Sequence, residues 1–195
     1  MSPQAARQDT WQRIARRVRV PLGFAFALIY LWLAQPSAAM VAVGSIVIIL
    51  GIGIRALASA QLRKNEELAT SGPYSYTRNP LYLGSIIIGI GFALAARNLW
   101  IWVLMFVFFV IIYMPVIRSE ESFLRSTFPN FDEYARQVPR LWPRWSSESL
   151  AANFSRELYL KHREYNALIG AALMLAALLI KMTVAHRSAF SAGVR

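Results

Sequence analysis

The amino-acid sequence predicts an all-α integral-membrane chain, with about five transmembrane helices and a cytosolic amphipathic segment. Three observations carry that prediction. Apolar residues make up 56% of the 195 and charged residues only 16%, against roughly 45–50% and about 25% in soluble globular domains. The chain contains four long uncharged runs: Val20 to Ile54, Asn79 to Ala96, Asn98 to Ile117 and Tyr165 to Ile180. Its basic residues cluster between these runs in a sided pattern. A soluble bundle would lack the polar surface to cover such runs.

The elements follow in order. Residues 1–19 read as a basic surface helix, with Arg13, Arg16 and Arg17 set against anionic lipid. Val20 to Ile54 is 35 residues without a charge, and a bilayer-spanning helix needs about 20. It therefore reads as two helices turning at Gln35-Pro36-Ser37. Its basic start and Ser37-Ala38-Ala39 imitate a signal peptide, but a helical hairpin accounts for the same residues. Asn79–Ala96 is the third span and Asn98–Ile117 the fourth, with Arg97-Asn98 as a short turn, so four spans occupy residues 20–117. Residues 118–164 form the cytosolic segment, with short amphipathic helices broken at Pro129 and Pro139. Trp142 and Trp145 suit a membrane interface. Residues 165–184 form the fifth span, with the Lys181 amine snorkelling to the headgroups. The whole chain, 1–195, reads as one membrane domain.

Lys and Arg counts set the orientation. The N-terminal segment, the 55–80 loop and residues 118–164 hold 17 of the 21 basic residues, and all ten acidic residues fall on the same side. That side is expected to be the cytoplasm, with the N-terminus and the polar chemistry on it. The expected location is a plasma membrane, or an inner membrane in a bacterium.

Several chemistries are excluded. There is no cysteine, so thiolate metal sites, disulfides and cysteine nucleophiles are out. Two histidines, His162 and His186, are too few for a multi-histidine centre, so no metal is expected. The net charge of +11 could suit a nucleic-acid binder. Here the basic residues flank the apolar runs instead of lining one surface, so no nucleic-acid partner is expected.

Three places exceed what plain membrane packing requires. Gly51-Ile52-Gly53, followed by Arg55, could admit a flat group beside a fixed cation, or could simply allow two helices to approach. Gly72-Pro73-Tyr74 through Arg78-Asn79-Pro80 is a restricted loop, with Pro80 suited to a first helical position. Arg78 there could anchor a headgroup phosphate or bind an anionic ligand beside the helix N-terminus. Glu120-Glu121 could be a solvated face. It could also be a carboxylate pair that holds a cation, accepts hydroxyl hydrogen bonds or acts as a general base.

Leu68-Ala69-Thr70-Ser71-Gly72-Pro73-Tyr74, running into Arg78-Asn79-Pro80-Leu81-Tyr82-Leu83-Gly84, resembles the signature of a known superfamily. So does Glu120-Glu121 with the later Phe128-Pro129, Tyr134 and Val138-Pro139-Arg140. It is the superfamily of isoprenylcysteine carboxyl methyltransferases and phospholipid methyltransferases, and the resemblance covers about Gly44 to Pro143. It implies a small membrane enzyme that uses S-adenosylmethionine on the cytosolic face. By this resemblance Arg78, Glu120 and Glu121 are catalytic. Gly51, Gly53, Gly72, Pro73, Tyr74, Arg78, Asn79, Pro80, Tyr82, Gly84, Glu120 and Glu121 hold the cofactor, and Tyr134 and Arg140 face the substrate. The family usually carries Arg-His-Pro where this chain has Arg78-Asn79-Pro80. Asparagine does not titrate near neutrality, so proton transfer at this position is not expected.

The expected acceptor is a membrane lipid or lipidated small molecule, through an amine headgroup or a carboxylate. Two alternatives stand beside this reading: an NADPH-dependent membrane reductase of related fold, and a noncatalytic lipid-binding membrane protein.

Overall fold

The computed structural model describes residues 23–63, 66–151 and 154–193, with side chains described as far as residue 185. The basic helix expected over residues 1–19 lies outside the described residues. Helix α1 spans Gly23–Leu33. It is followed by α2 Ala38–Ser59, α3 Pro73–Tyr76, α4 Pro80–Ala96 and α5 Leu99–Phe108. A π turn, Phe109–Tyr113, then joins α5 to α6 Met114–Thr127. The chain continues through α7 Phe131–Gln137, α8 Arg156–Lys161 and α9 Tyr165–Gly193. Among the described residues there is no strand.

Every apolar run becomes a helix. Ala38–Ser59, the continuous Leu99–Thr127 and Tyr165–Ala185 are long and apolar enough to cross a membrane. Gly23–Leu33 and Pro80–Ala96 are apolar but shorter. The 17 residues of α4 reach about 25 Å at the usual helical rise. Trp32, Ile49, Phe106, Leu173 and Val184 point outward and are more than half exposed, as a lipid-facing surface requires.

Helices α2 and α4 form the central antiparallel pair, and glycines let them touch. A Cβ on Gly51 would lie 2.7 Å from the Gly84 carbonyl oxygen and 2.8 Å from the Ile88 amide nitrogen. Gly44 and Gly91 face each other in the same way two turns further along. At the end of the pair beyond Gly44, Tyr30, Ala34, Val41, Ala93, Ala96, Ile101 and Leu178 close a small buried core.

That end is held by polar caps. The Gln35 amide donates to the Ala96 carbonyl at 2.8 Å. The Asn98 side-chain amide donates to the Leu33 carbonyl at 2.9 Å. Lys181, expected to reach toward the headgroups, lies at this same end of the bundle. Its amine donates to the carbonyls of Leu31, Trp32 (3.0 Å) and Ala34 (2.7 Å). The last carbonyls of a helix lack partners of their own, and an ammonium on the neighbouring α9 supplies the missing donors.

The fourth span runs past Ile117 without a break, so Arg118 to Thr127 extend the same helix beyond the apolar stretch. Pro115 cannot donate to the preceding turn, and the helix widens there into the π turn. Helix α7 sits between Pro129 and Pro139, where the two prolines predict a short helix.

Candidate active site

At the other end of the α2–α4 pair the chain gathers its charged residues. Pro73 occupies the first turn of α3 and Pro80 that of α4, each in a position where a missing N–H costs nothing. Gly72 precedes α3 with φ +57°, a backbone conformation that L side chains rarely adopt. Its amide donates to the Glu148 carboxylate at 2.9 Å. Between the two short turns, residues 76–78 lie against 139–144. The Arg78 amide donates to the Pro139 carbonyl at 2.9 Å, and the Arg144 amide to the Tyr76 carbonyl at 2.8 Å.

This pairing delivers Arg78, Asn79 and Arg140 to one carboxylate. Glu121 is buried, at 4% exposed. Its Oε1 accepts from Arg78 Nε at 3.1 Å and from the Asn79 amide at 3.2 Å. Its Oε2 accepts from Arg140 at 2.7 and 2.9 Å. Glu121 lies four residues past Ile117, the end of the apolar stretch. Burial by itself would raise its carboxyl. Arg140 and Arg78 outweigh that and hold it below the ordinary carboxylate value.

The structure separates the two glutamates. Successive helical residues point about 100° apart, so Glu121 enters the arginine cluster while Glu120 stays exposed. Arg78 is also committed within the fold. Its Nη1 donates to the carbonyls of Ala135 (2.6 Å) and Val138 (3.1 Å), which caps the C-terminus of α7. Arg140 keeps 40% of its side chain exposed, against 12% for Arg78. Arg140 is therefore the more accessible cation.

The remaining expected residues fall in distinct places. Gly51 and Gly84 face each other across the α2–α4 contact, so the opposite helix fills the room they leave, while Gly53 has nothing within 4 Å. Tyr82 packs edge-on against Tyr113, with ring centroids 5.7 Å apart. Tyr134 donates its hydroxyl to the Tyr74 carbonyl at 2.7 Å. Tyr74 is 6% exposed, and its hydroxyl has no hydrogen-bond partner. Burial pushes the Tyr74 and Tyr134 phenols up.

Sequence reasoning missed Glu164. It binds Arg55 through both carboxylate oxygens at 2.8–3.0 Å. The signal was present, because Glu164 directly precedes the last uncharged run. An acidic residue at the mouth of a span gains nothing from anionic lipid.

Apolar helices around a buried two-arginine carboxylate cluster at one end define a membrane protein with a polar site at the mouth of its bundle. Residues 37–130 match the phospholipid methyltransferase family, which places this part of the chain in the isoprenylcysteine and phospholipid methyltransferase superfamily. The cobalt-zinc-cadmium resistance protein CzcN of Cupriavidus metallidurans is 43% identical over 84 residues. The nickel-cobalt-cadmium resistance protein NccN of Alcaligenes xylosoxydans xylosoxydans is 39% identical over 84 residues. Each alignment covers 43% of this chain and 39% of the relative. No solved structure gives a significant match.

Proposed function

We propose that the chain is an S-adenosylmethionine-dependent methyltransferase. It acts on a lipid or lipidated acceptor, through an amine headgroup or a carboxylate, at the cytosolic mouth of the bundle. The observation that carries this reading is the Glu121 cluster. Glu121 and the Arg78-Asn79-Pro80 motif come from the segment that matches the methyltransferase family, and they meet in space around one buried carboxylate.

The residues fit the cofactor. Two guanidiniums face one carboxylate, so the cluster keeps a surplus positive charge, and Arg140 presents it on the accessible side. A ligand carboxylate would pair there. Glu121 fixes the position of Arg140, and the half-buried Tyr82 offers a ring face to a sulfonium or an adenine. When bound, S-adenosylmethionine supplies an already activated methyl group. The protein then has mainly to align an acceptor with it and exclude water. A lipid acceptor reaches such a site sideways from the bilayer, with its head at the polar boundary. The 17-to-4 distribution of basic residues supports a cytoplasmic site. The names of the relatives speak of metal resistance and specify no acceptor.

The test is radiolabelled methyl transfer from S-adenosylmethionine into whole-membrane lipid extract by the purified chain, with the labelled product identified. Binding in detergent is measured beside it. The reading requires S-adenosylmethionine to bind and NADPH not to. Tight NADPH binding would favour the reductase alternative, and binding of neither would favour a noncatalytic lipid-binding protein.

A further inference from the structure

A cleft of about 590 Å³ opens at the end of the bundle opposite the Glu121 cluster. It lies between the C-terminus of α1, the Arg97-Asn98 turn and α9, and Trp32, Gln35, Pro36, Asn98, Lys181 and Met182 line it. Nothing in the proposed methyl transfer uses it. Its volume falls within the roughly 300–1,000 Å³ of small-molecule sites. Two turns between uncharged runs, at Gln35-Pro36 and Arg97-Asn98, border it. Lys181 is the first charge after the uncharged run Tyr165 to Ile180. The cleft therefore sits where the spans leave the hydrocarbon and meet the headgroups.

The cleft holds a positive charge that the protein offsets only in part. An ammonium has three donors, and Lys181 gives all of them to carbonyls at the end of α1. A helix C-terminus amounts to about half a negative charge, so part of the ammonium charge remains. Neither Lys181 nor Arg97, the chain neighbour of Asn98, has an ion-pair partner among the described residues. N–H groups are in surplus as well. The exposed Trp32 indole and the exposed Gln35 amide have no partner among the described residues. The Asn98 side-chain amide gives one N–H to the Leu33 carbonyl and keeps a second. A half-buried ammonium ringed by free N–H donors calls for an anion that accepts hydrogen bonds.

We propose that this cleft binds the phosphodiester of an anionic phospholipid in the leaflet at this end of the bundle. A phosphodiester carries a single negative charge, which answers the single ammonium of Lys181. Its free oxygens accept the N–H groups of Trp32, Gln35 and Asn98. Pro36, Met182 and the Trp32 ring supply apolar surface for the glycerol and the first acyl carbons. A bare phosphate would leave most of the volume unfilled. A zwitterionic headgroup brings a cation, and no carboxylate lines the cleft to receive it, so a headgroup without a cation is favoured.

The test uses the full chain in detergent and follows thermal unfolding against added phosphatidylglycerol, phosphatidylcholine or inorganic phosphate. A ligand that binds only the folded chain raises the midpoint. Phosphatidylglycerol should do so at a concentration about tenfold lower than phosphatidylcholine, as one charge-assisted hydrogen bond would give. Trp32→Phe and Gln35→Ala remove N–H groups that no described residue uses, so the double variant should fold like wild type. It should lose the preference for phosphatidylglycerol. Arg97→Gln, outside the cleft, should keep most of it. Equal responses of wild type to the two lipids overturn the proposal, and so does a double variant that keeps the preference. Loss of the preference in Arg97→Gln would show a diffuse attraction to this end of the bundle and overturn the cleft as its site. A response to inorganic phosphate matching that to phosphatidylglycerol would overturn the lipid in favour of a soluble anion.

Discussion

At Glu121 one carboxylate meets two guanidiniums of unequal exposure, and under the proposed function the enclosed one does structural work and the accessible one binds the ligand. Arg78 is nearly enclosed and also caps α7. Arg78→Ala should therefore lower the unfolding midpoint, because it leaves buried acceptors unpaired at about 1–3 kcal/mol each. Arg140→Ala should lower the midpoint less and S-adenosylmethionine affinity more, by about ten- to hundredfold for a charge-assisted pair. Thermal unfolding beside isothermal titration checks both, with exposed Arg118→Ala as the control. If the two variants lose affinity and stability in the same ratio, the division of roles is wrong. The sign of the Glu121 shift sets its pH behaviour. A depressed folded value stabilises the fold above the unfolded value of about 4.5, and that contribution disappears as pH falls through the folded value. The midpoint of wild type should drop on acidification below about pH 4.5 by more than that of Glu121→Gln.

Among the helices, α2 and α4 show what the glycines are for. Gly51 and Gly53 are two residues apart, yet only Gly51 touches a neighbour. Gly51→Val should push α2 off α4 and destabilise the chain by about 1–3 kcal/mol, the usual cost of overpacking. Gly53→Ala should be neutral or slightly stabilising, since alanine favours helix over glycine by about 1 kcal/mol. Thermal unfolding separates the two, and loss of cofactor binding in a folded Gly53→Ala variant would show that this glycine contacts the ligand after all. At the opposite end, Lys181→Met should free the carbonyls of Leu31, Trp32 and Ala34 at the end of α1 and lower the unfolding midpoint. An unchanged midpoint would mean that those carbonyls find other donors.

For the molecule as a whole, the contacts sort the loops by end. Gln35, Arg97-Asn98 and Lys181 meet at one end. The 72–80 loop, Glu121, residues 139–148 and Glu164 meet at the other. This arrangement agrees with the sided charge pattern and gives a direct topology test. A cysteine introduced at Ser147 should react with an impermeant thiol reagent only from the cytoplasmic face, and one at Arg97 only from the opposite face. The native chain adds no background thiols. Labelling of both positions from one face would break the five-span arrangement. The pH dependence of the reaction belongs to the same level. An amine acceptor must lose a proton before attack, so its rate should climb through the alkaline range. A carboxylate acceptor should give a nearly flat profile between about pH 6 and 9, because it is already ionised.

The helices could be read from the residues because membrane crossing is a matter of run length and charge placement, and both lie along the chain. Val20 to Ile54 interrupted at Gln35-Pro36-Ser37 gives two helices, and Asn79-Pro80 opens α4, with no knowledge of neighbours. The motif blocks around Arg78 and Glu121 were legible in the same way. Their partners were not, because pairing depends on which faces meet. Adjacent in sequence, Glu120 and Glu121 diverge around a helix, so only one is buried between guanidiniums. Gly51 serves packing because α4 lies against it. Arg55 and Glu164, 109 residues apart, become partners only when α9 returns to the end of α2. Run length and charge are properties of the chain, whereas the direction of a side chain and the identity of what it meets exist only after the helices have packed.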